Sequence, residues 1–420
     1  MNMIFKSTLF KNMSSLGLIQ IANFVIPLLI VPYISRIIGI ENYGKLEYAR
    51  TFVLYFTILI DYGFNLTATR EVSIHRNNKE KINELITNVF IAKLILFLIA
   101  TLIFWALLYF DGTLNQKSSL LWVTYLINFG FLLFPLWFFQ GMEKLATIAY
   151  INFGIKLIIV SGVIFFIRQS SDFWIYNLFL SLAQIVIGIV ALYILYSKFS
   201  YRFHRPYFKN VVQQFKDGFN VFLTTILVSF FVSYAFILLQ KFGTDVEVGA
   251  YSTANKLVMT VQVLILLPFS QAFFPFITKT AKKDLNLFIS HIKKASIVIA
   301  IITFIIGLIT FIFAELIITI IFGKDFLYAV PTLKILAFLP AFTIMNNLFS
   351  YQGLLSLNKD KLFLWIHIFF TIAIVAGSYF LIPIYGLHGV AYIRIVSEIL
   401  LMSVSLFFLI IVVKRRRNAA

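Results

Sequence analysis

The sequence has no cysteine and little charge. The absence of cysteine among its 420 residues excludes disulfide bridges, thiolate metal sites and cysteine nucleophiles. Only 12% of the residues are charged, whereas 61% are hydrophobic. Because a soluble protein carries roughly twice that share of charge, the sequence predicts a protein that is surrounded mainly by lipid.

Histidine is also scarce, and its placement suggests neither a metal site nor a catalytic site. Three of the five histidines lie in predicted loops, while His367 and His388 lie in different predicted helices. This scatter offers neither the spacing of metal ligands nor a nucleophile with its base. The sequence therefore favours a transporter over an enzyme and predicts no cofactor other than a coupling ion, H⁺ or Na⁺.

Long apolar runs dominate what is present. Each run is long enough to cross about 30 Å of hydrocarbon as a helix. The predicted fold class is therefore an all-α integral membrane protein with twelve transmembrane helices. The predicted spans are 14–38, 46–68, 85–110, 119–139, 145–167, 173–197, 218–240, 250–276, 295–321, 331–354, 361–383 and 386–413.

Basic residues predict the orientation of these spans. If short loops alternate between the two sides and the N-terminus is cytoplasmic, 23 lysines and arginines lie in inward segments and 5 in outward loops. Cytoplasmic loops carry such an excess, so we expect both termini in the cytoplasm. The same distribution accounts for the net charge of +18 without a nucleic-acid partner.

Two pairs of motifs recur along the chain and indicate an internal duplication. The pattern G-x4-G-x4-A at 39–49 is matched by G-x5-G-x4-A at 243–254, and F-Q-G at 139–141 is matched by Y-Q-G at 351–353. The offsets of 205 and 212 residues are nearly equal. Duplicated bundles are typical of transporters. The predicted domains are a six-helix bundle at 1–200, a cytoplasmic linker at 201–217, and a second six-helix bundle at 218–420 with a basic tail.

Polar residues within the spans predict a polar interior. In the second span, polar side chains recur at spacings of 3, 7, 4 and 4 residues, which places them on one stripe of an α-helix. This stripe is formed by Glu47, Arg50, Thr57, Asp61 and Asn65. The span at 250–276 carries a weaker stripe. The predicted polar lining consists of Glu47, Asp61, Asn65, Asn255, Gln262, Asn346 and Asn347.

Cations within the spans have two interpretations. A charge inside the membrane usually faces protein or a water-filled cavity, so these cations could form a cavity between the halves that accepts phosphate or pyrophosphate. Alternatively, cations near helix ends extend to the interface, and pairs such as Arg394 with Glu398 neutralise each other. Lys156 lies in mid-helix with no acid within a turn. The predicted cavity cations are Arg36, Arg50, Lys93, Lys156, Lys256, Lys334 and Arg394.

Two acids within the spans are candidates for ion coupling. A carboxylate inside the membrane can bind a proton or Na⁺, and Asp61 and Glu398 are the two that we expect to do so. The alternative is that an acid beside Arg50 serves only as its counterion.

Several of these segments resemble a known family. The runs PYISRIIGIENYG at 32–44, DYGF at 61–64, TRE at 69–71, FQG at 139–141 and VGAYSTANK at 248–256 are similar to those of Wzx-type O-antigen flippases. These flippases belong to the polysaccharide-exporter branch of the superfamily that also contains the multidrug and toxin extruders. The resemblance covers nearly the whole chain.

The resemblance implies a fold, a substrate and a location. The fold is two six-helix bundles around a cavity that opens alternately to either side of the bacterial cytoplasmic (inner) membrane. The implied substrate is undecaprenyl pyrophosphate carrying an oligosaccharide repeat unit of O-antigen or a related polysaccharide, moved from the cytoplasmic to the periplasmic leaflet. Asn346 and Asn347 would then meet sugar hydroxyls, or bond between helices. Expected partners are this lipid-linked oligosaccharide, membrane lipid and other membrane proteins of polysaccharide assembly.

Three other functions are compatible with the sequence. A cation-coupled multidrug exporter would offer acids and aromatic rings to a cationic drug, whereas intramembrane cations here outnumber acids. A peptidoglycan-precursor flippase of the same superfamily commonly has helices beyond twelve. A membrane glycan polymerase would be an enzyme, and the short predicted outward loops leave little room for its catalytic groups.

Overall fold

The computed structural model describes the backbone of residues 2–199 and 202–419. It describes the side chains of residues 30–418, apart from residues 160, 200, 201, 228, 231, 232, 267 and 271. Across the described backbone the chain is helical and has no β-strand, which confirms the prediction of an all-α protein.

The α-helices are numbered in chain order, and short 3₁₀ or π turns join some of them. The α-helices are α1 (Asn2–Asp61), α2 (Phe64–Ile74), α3 (Lys79–Phe110), α4 (Gly112–Gln116), α5 (Ser118–Tyr125), α6 (Ile127–Leu133), α7 (Leu136–Gly141), α8 (Leu145–Phe166), α9 (Trp174–Ser197), α10 (Phe208–Phe242), α11 (Asp245–Lys283), α12 (Leu285–Ile312), α13 (Ala314–Ile321), α14 (Val330–Leu336), α15 (Leu339–Asn347) and α16 (Asp360–Ala419). The 3₁₀ turns are Ser170–Phe173, Lys324–Ala329 and Leu355–Leu357, and a π-helical turn covers Leu348–Leu354.

Polar side chains define where several helices begin. The Asn78 side chain accepts the backbone N–H of Lys81 at the start of α3. Thr244 and Glu247 form a reciprocal capping box at the start of α11. At the start of α12, the Asp284 side chain accepts the backbone N–H groups of Asn286 and Leu287. These caps satisfy N–H groups that have no partner within the helix.

The two longest helices, α1 and α16, are each interrupted once. Gly39 has a φ of 74° in α1, and Gly386 has a φ of 52° in α16. Glycine adopts this region without steric conflict because it has no Cβ. Gly39 lies between the first and second predicted spans, and Gly386 is the first residue of the last predicted span. A third break, at Tyr62 (φ 48°) and Gly63 (φ 81°), separates α1 from α2.

Among the described residues, eight helices are long and apolar enough to cross a membrane. A ninth candidate is the bent pair Lys324–Leu336 and Leu339–Leu357, whose halves meet at 43°. Two of the eight, Ile30–Ile74 and Asp360–Asn418, contain 45 and 59 residues. A helix needs only about 20 residues to span the hydrocarbon, so each of these two is long enough for two crossings.

The chain forms two compact units. The first contains the residues up to 38 and 45–233, and the second contains 39–44 and the residues from 234 onward. The short segment 39–44 thus belongs to the second unit although its neighbours in sequence belong to the first. The predicted domain limits at 200 and 218 stay a prediction.

Each unit has its own apolar core. Lipid tails are as apolar as these side chains, so close packing rather than the hydrophobic effect holds such cores together. In the first unit the core includes Phe64, Val72, Ile86, Val89, Trp137, Phe138 and Ile187. In the second it includes Ile277, Phe288, Ile344, Leu348, Phe370 and Leu401.

Candidate functional site

One group of charged side chains lies at the N-terminal end of the predicted polar stripe, in the first unit. Arg50 Nη1 donates a hydrogen bond of 2.9 Å to Glu47 Oε1. The guanidinium carbon lies 6.0 Å from the centre of the Tyr176 ring on α9. Lys156 on α8 is close enough that its charge and that of Arg50 act on each other. We call Glu47, Arg50, Lys156 and Tyr176 the Arg50 group.

The Arg50 group contains two cations, Arg50 and Lys156, and one acid, Glu47. The Arg50 side chain is 37% exposed, so a ligand can reach it. A phosphate would accept charge-assisted hydrogen bonds from the planar guanidinium and from the lysine ammonium. Such bonds are stronger away from bulk water, where the dielectric constant is low.

A second group lies at the C-terminal end of the stripe and is internally balanced. Lys93 Nζ on α3 is 3.5 Å from Asp61 Oδ1, and Asn65 Nδ2 donates to the same oxygen at 2.9 Å. Lys93 also donates at 2.9 Å to the carbonyl of Phe131, in the last turn of α6. Such a carbonyl has no partner within its own helix. We call Asp61, Asn65 and Lys93 the Asp61 group.

The middle of the stripe contacts other helices of the first unit. Thr57 Oγ1 donates at 2.6 Å to Asn128 Oδ1 on α6. Nearby, Asn177 Nδ2 on α9 donates at 2.9 Å to Thr124 Oγ1 on α5. Asn128 and Asn177 are both buried. The stripe therefore faces polar partners within its own unit.

In the second unit, Lys256 bonds to a residue from the first glycine motif. Lys256 Nζ lies 2.6 Å from Tyr43 Oη and 5.0 Å from the centre of its ring. Tyr43 is buried and packs edge-on against Phe322 and Phe326. This contact holds the segment 39–44 in the second unit.

The motif glycines pack against each other at the same place. A Cβ at Gly44 would overlap the carbonyl of Asp245, and one at Gly249 would overlap the carbonyl of Ile40. The two backbones can approach this closely only because both positions are glycine.

Arg394 and Glu398 form an internal ion pair in this unit. Arg394 Nη2 lies 3.4 Å from Glu398 Oε1, one helical turn away. Their side chains are 12% and 3% exposed. The geometry matches the alternative in which this pair neutralises itself.

The amides of the predicted polar lining in the second unit bond mainly between helices. Three bonds join α11 or α16 to α15, and Asn255 contacts a residue of its own helix. The contacts are Gln262 Nε2 to Thr343 Oγ1 (3.2 Å), Ser270 Oγ to Asn347 Oδ1 (3.2 Å), Ser405 Oγ to Asn346 Oδ1 (2.9 Å) and Asn255 Nδ2 to Met259 Sδ (3.4 Å).

Two predicted cavity cations lie on the exposed surface of the chain. Arg36 is exposed in α1, shortly before the interruption at Gly39. Lys334 is exposed as well, with its ammonium 5.7 Å from the centre of the Phe311 ring.

Sequence reasoning missed Tyr43, Tyr176 and Glu247. Glu247 Oε2 accepts the N–H of Thr244, and its Oε1 accepts the N–H of Leu387 at 3.2 Å, just after the break at Gly386. The first bond could be read from the T-x-x-E pattern. The second joins residues 140 apart and leaves no local signal. In the described part of the chain, no three metal-ligating side chains form a group that could hold a metal ion.

Two known proteins are similar in sequence to this chain over almost its whole length. A protein of Escherichia coli (strain K12) named "Putative O-antigen transporter" is 28% identical over 414 residues, covering 96% of this chain and 97% of its own. A protein of Shigella dysenteriae with the same name is 25% identical over 395 residues, covering 93% and 98%.

Two solved structures share the fold. One is an inward-facing multidrug resistance MATE family transporter of the MOP superfamily, with 14% identity and a TM-score of 0.72, covering 97% of this chain and 99% of that chain. The other is the lipid II flippase MurJ in an inward closed conformation, with 12% identity and a TM-score of 0.71, covering 93% and 87%.

Family and location follow from these comparisons and from the apolar helices. The fold is that of membrane transporters, and the chain is a multi-pass protein of the bacterial inner membrane. Residues 9–281, well over half of the chain, match the model of one family. The chain therefore belongs to the family described as "Polysaccharide biosynthesis protein", which confirms the resemblance found in the sequence.

Proposed function

We propose that this protein is a flippase for undecaprenyl-pyrophosphate-linked oligosaccharide repeat units of O-antigen or a related surface polysaccharide. It would move them from the cytoplasmic to the periplasmic leaflet by alternating access, without making or breaking a covalent bond. Membership of the family and two full-length relatives named as O-antigen transporters support this proposal. Other membrane proteins must then assemble the delivered units, so we expect such partners.

The observation that carries the proposal is the Arg50 group. A pyrophosphate head group carries negative charge through the membrane, where an unaccompanied charge is expensive. Arg50 and Lys156 lie in predicted membrane spans and act on each other as like charges. Two cations held close together are stabilised when a polyanion sits between them. A cationic drug would instead be repelled by this arrangement.

Twelve spans with both termini in the cytoplasm complete the proposal. The apolar helical segments Ile30–Ile74 and Asp360–Asn418 are each long enough for two crossings, and glycine breaks at 39 and 386 offer places to turn. The excess of basic residues in alternate loops supports the orientation.

The proposal includes coupling of transport to H⁺ or Na⁺ through Asp61 or Glu398. Each carboxylate lies within 3.5 Å of a cationic nitrogen, so H⁺ or Na⁺ would have to take the place of that cation. Asp61 is favoured of the two, because its side chain is 25% exposed whereas that of Glu398 is 3% exposed.

The test is the leaflet in which lipid-linked oligosaccharide accumulates when the protein is absent. An external glycosidase or label should reach the accumulated intermediate only after the inner membrane is opened. Normal surface glycan together with greater sensitivity to cationic drugs would favour an exporter. Single repeat units attached outside the cell would point to a polymerase. Either of the last two results would contradict the proposal.

A further inference from the structure

Residues 202–204, which lie between α9 and α10, are fixed to the side of α3. The backbone N–H of Arg202 donates to Asn83 Oδ1 at 2.8 Å, and that of His204 donates to Thr87 Oγ1 at 2.8 Å. Asn83 and Thr87 are 7% and 3% exposed. Two buried polar groups on one helix thus find their partners in the main chain of this segment.

The donors of these two hydrogen bonds are about as far apart along the segment as the acceptors are along α3. Four residues of helix advance by about 6.0 Å, and two residues of extended chain advance by about 6.6 Å. One face of α3 therefore binds alternate amides of the segment, which runs parallel to the helix. The Phe203 ring lies 5.1 Å from that of Phe90, on the same face.

The path of the segment leads it toward the membrane and back. Thr87 lies about 12 Å along α3 from its first residue, Lys79, and is within the third predicted span. After His204 the chain reverses, because Asn210 of α10 bonds to Glu84, nearer the start of α3. Residues 203–207 therefore lie at the level where the predicted span meets its cytoplasmic loop.

The exposed side chains of this segment are cationic and aromatic. Phe203, Tyr207 and Phe208 are 53%, 69% and 75% exposed. No acid occurs between Asp172 and Asp217 in the sequence. We define the linker surface as the exposed residues Arg202, Phe203, Arg205, Tyr207, Phe208 and Lys209.

We propose that the linker surface binds the phosphate groups of anionic phospholipids, such as phosphatidylglycerol, in the cytoplasmic leaflet. Aromatic rings favour the level of the lipid head groups, and lysine and arginine at that level are attracted to an anionic leaflet. The cations of the linker surface have no acidic neighbour in sequence, and Glu84 of α3 contacts its C-terminal edge through Asn210. The proposal rests on the orientation proposed above, in which this segment is cytoplasmic.

The natural absence of cysteine allows a site-specific test. The variant Tyr207→Cys, labelled with a fluorophore on its single thiol, is reconstituted as the full chain in phosphatidylcholine vesicles. A spin-labelled phosphatidylglycerol or a spin-labelled phosphatidylcholine is then added as quencher. Each cation near an anionic head group should favour that lipid about fivefold at low salt, so we expect clearly stronger quenching by phosphatidylglycerol.

Charge-matched variants decide whether the linker surface is responsible. Changing Arg202, Arg205 and Lys209 to Gln should abolish the preference for phosphatidylglycerol. Changing Lys279, Lys282 and Lys283 to Gln removes the same charge from another predicted cytoplasmic segment and should leave the preference intact. Equal quenching by both lipids would overturn the proposal, and so would an equal loss in the two triple variants.

Two further experiments test how the segment is held on α3 and which ligand it binds. Asn83→Ala with Thr87→Val removes both anchors on α3 without changing charge, and should reduce the preference several-fold. An unchanged preference would overturn the role of α3. Inorganic pyrophosphate is then added as a competitor. If it abolishes the preference for phosphatidylglycerol and salt of matched ionic strength does not, the linker surface is a pyrophosphate site instead. Because none of these measurements needs transport, their failure leaves the proposed function standing.

Discussion

At the scale of single residues, Lys93 and Lys156 differ in the charge beside them. Lys93 lies 3.5 Å from Asp61 and caps the end of α6 through the carbonyl of Phe131. Lys156 interacts instead with the like charge of Arg50. Lys93 is therefore suited to holding helices together, whereas our proposal assigns Lys156 to binding an anion.

The first prediction concerns the pair of Lys93 and Asp61. Lys93→Met leaves the carboxylate without its cation and the end of α6 without its cap. We expect a loss of roughly 2 kcal/mol in the free energy of unfolding, below the usual range for a broken buried pair because Asp61 is 25% exposed. Reversible denaturation in mixed micelles measures this change.

A double-mutant cycle tests the cause of that loss. Asp61→Asn combined with Lys93→Met removes both charges and should recover more than half of the loss. Lys334→Met makes the same substitution at an exposed position and should have little effect. If the double variant is no more stable than Lys93→Met alone, the two side chains are not coupled.

The second prediction concerns Lys156 and transport. Lys156→Gln should lower the export of surface glycan roughly tenfold, because a charge-assisted hydrogen bond contributes about 1.5–3 kcal/mol. Lys156→Arg keeps the charge and should retain most of the export. The measurement is surface glycan per amount of protein in the inner membrane. Normal export by Lys156→Gln would exclude this lysine from the anion site.

The sequence predicts local ion pairs better than distant ones. The pair of Arg394 and Glu398 is visible as a spacing of one turn, because the partners share a helix. The pair of Asp61 and Lys93 joins α1 to α3, and its geometry depends on how those helices pack. The spacing therefore placed Asp61 in a polar stripe, but it did not identify Lys93 as its partner.

At the scale of helices, the glycine motifs explain why the segment 39–44 belongs to the second unit. Gly39 has the positive φ that interrupts α1, whereas Gly44 and Gly249 permit two backbones to touch. Lys256 then binds Tyr43 beside this contact. Repetition in the sequence revealed the motifs, but their direct contact depends on packing and could not be read from the spacing.

The third prediction tests this contact. Gly249→Ala would place a methyl group against the carbonyl of Ile40, so the backbones must separate. We expect a loss of roughly 1–3 kcal/mol in the free energy of unfolding, as for other overpacked sites. Gly154→Ala is the matched control, since a Cβ there meets no other atom within 4 Å. It should be neutral or stabilising, because alanine favours a helix interior over glycine. Equal effects of the two variants would argue against a tight contact at Gly249.

Apolar runs predict where helices lie but not how they are subdivided. The predicted spans 145–167 and 173–197 agree closely with α8 and α9. In contrast, the predicted span 331–354 comprises α14, α15 and a π-helical turn. Hydropathy averages over about twenty residues, so it does not register a change of hydrogen-bond pattern within a run.

At the scale of the whole molecule, composition indicates the surrounding medium, and basic residues predict the orientation. Because 61% of the residues are hydrophobic, much of the helix surface must face lipid. The 23 basic residues of the predicted inward segments, against 5 in predicted outward loops, predict the direction of insertion. Both predictions depend on sums over many residues, which explains why they can be made from the sequence alone.

The last prediction tests this orientation one loop at a time. Single cysteines at Lys79 and Lys282 should react with a membrane-impermeant maleimide only after the inner membrane is opened. Cysteines at Gln116 and Tyr328, in predicted outward loops, should react in spheroplasts with an intact inner membrane. All four positions are exposed, so a lack of reaction would reflect the membrane and not burial. Reaction at Lys79 in intact spheroplasts would reverse the first loop. Each crossing changes the side of the membrane on which the next loop lies. Agreement at all four positions therefore requires an odd number of crossings in each of three intervals, namely Lys79 to Gln116, Gln116 to Lys282, and Lys282 to Tyr328.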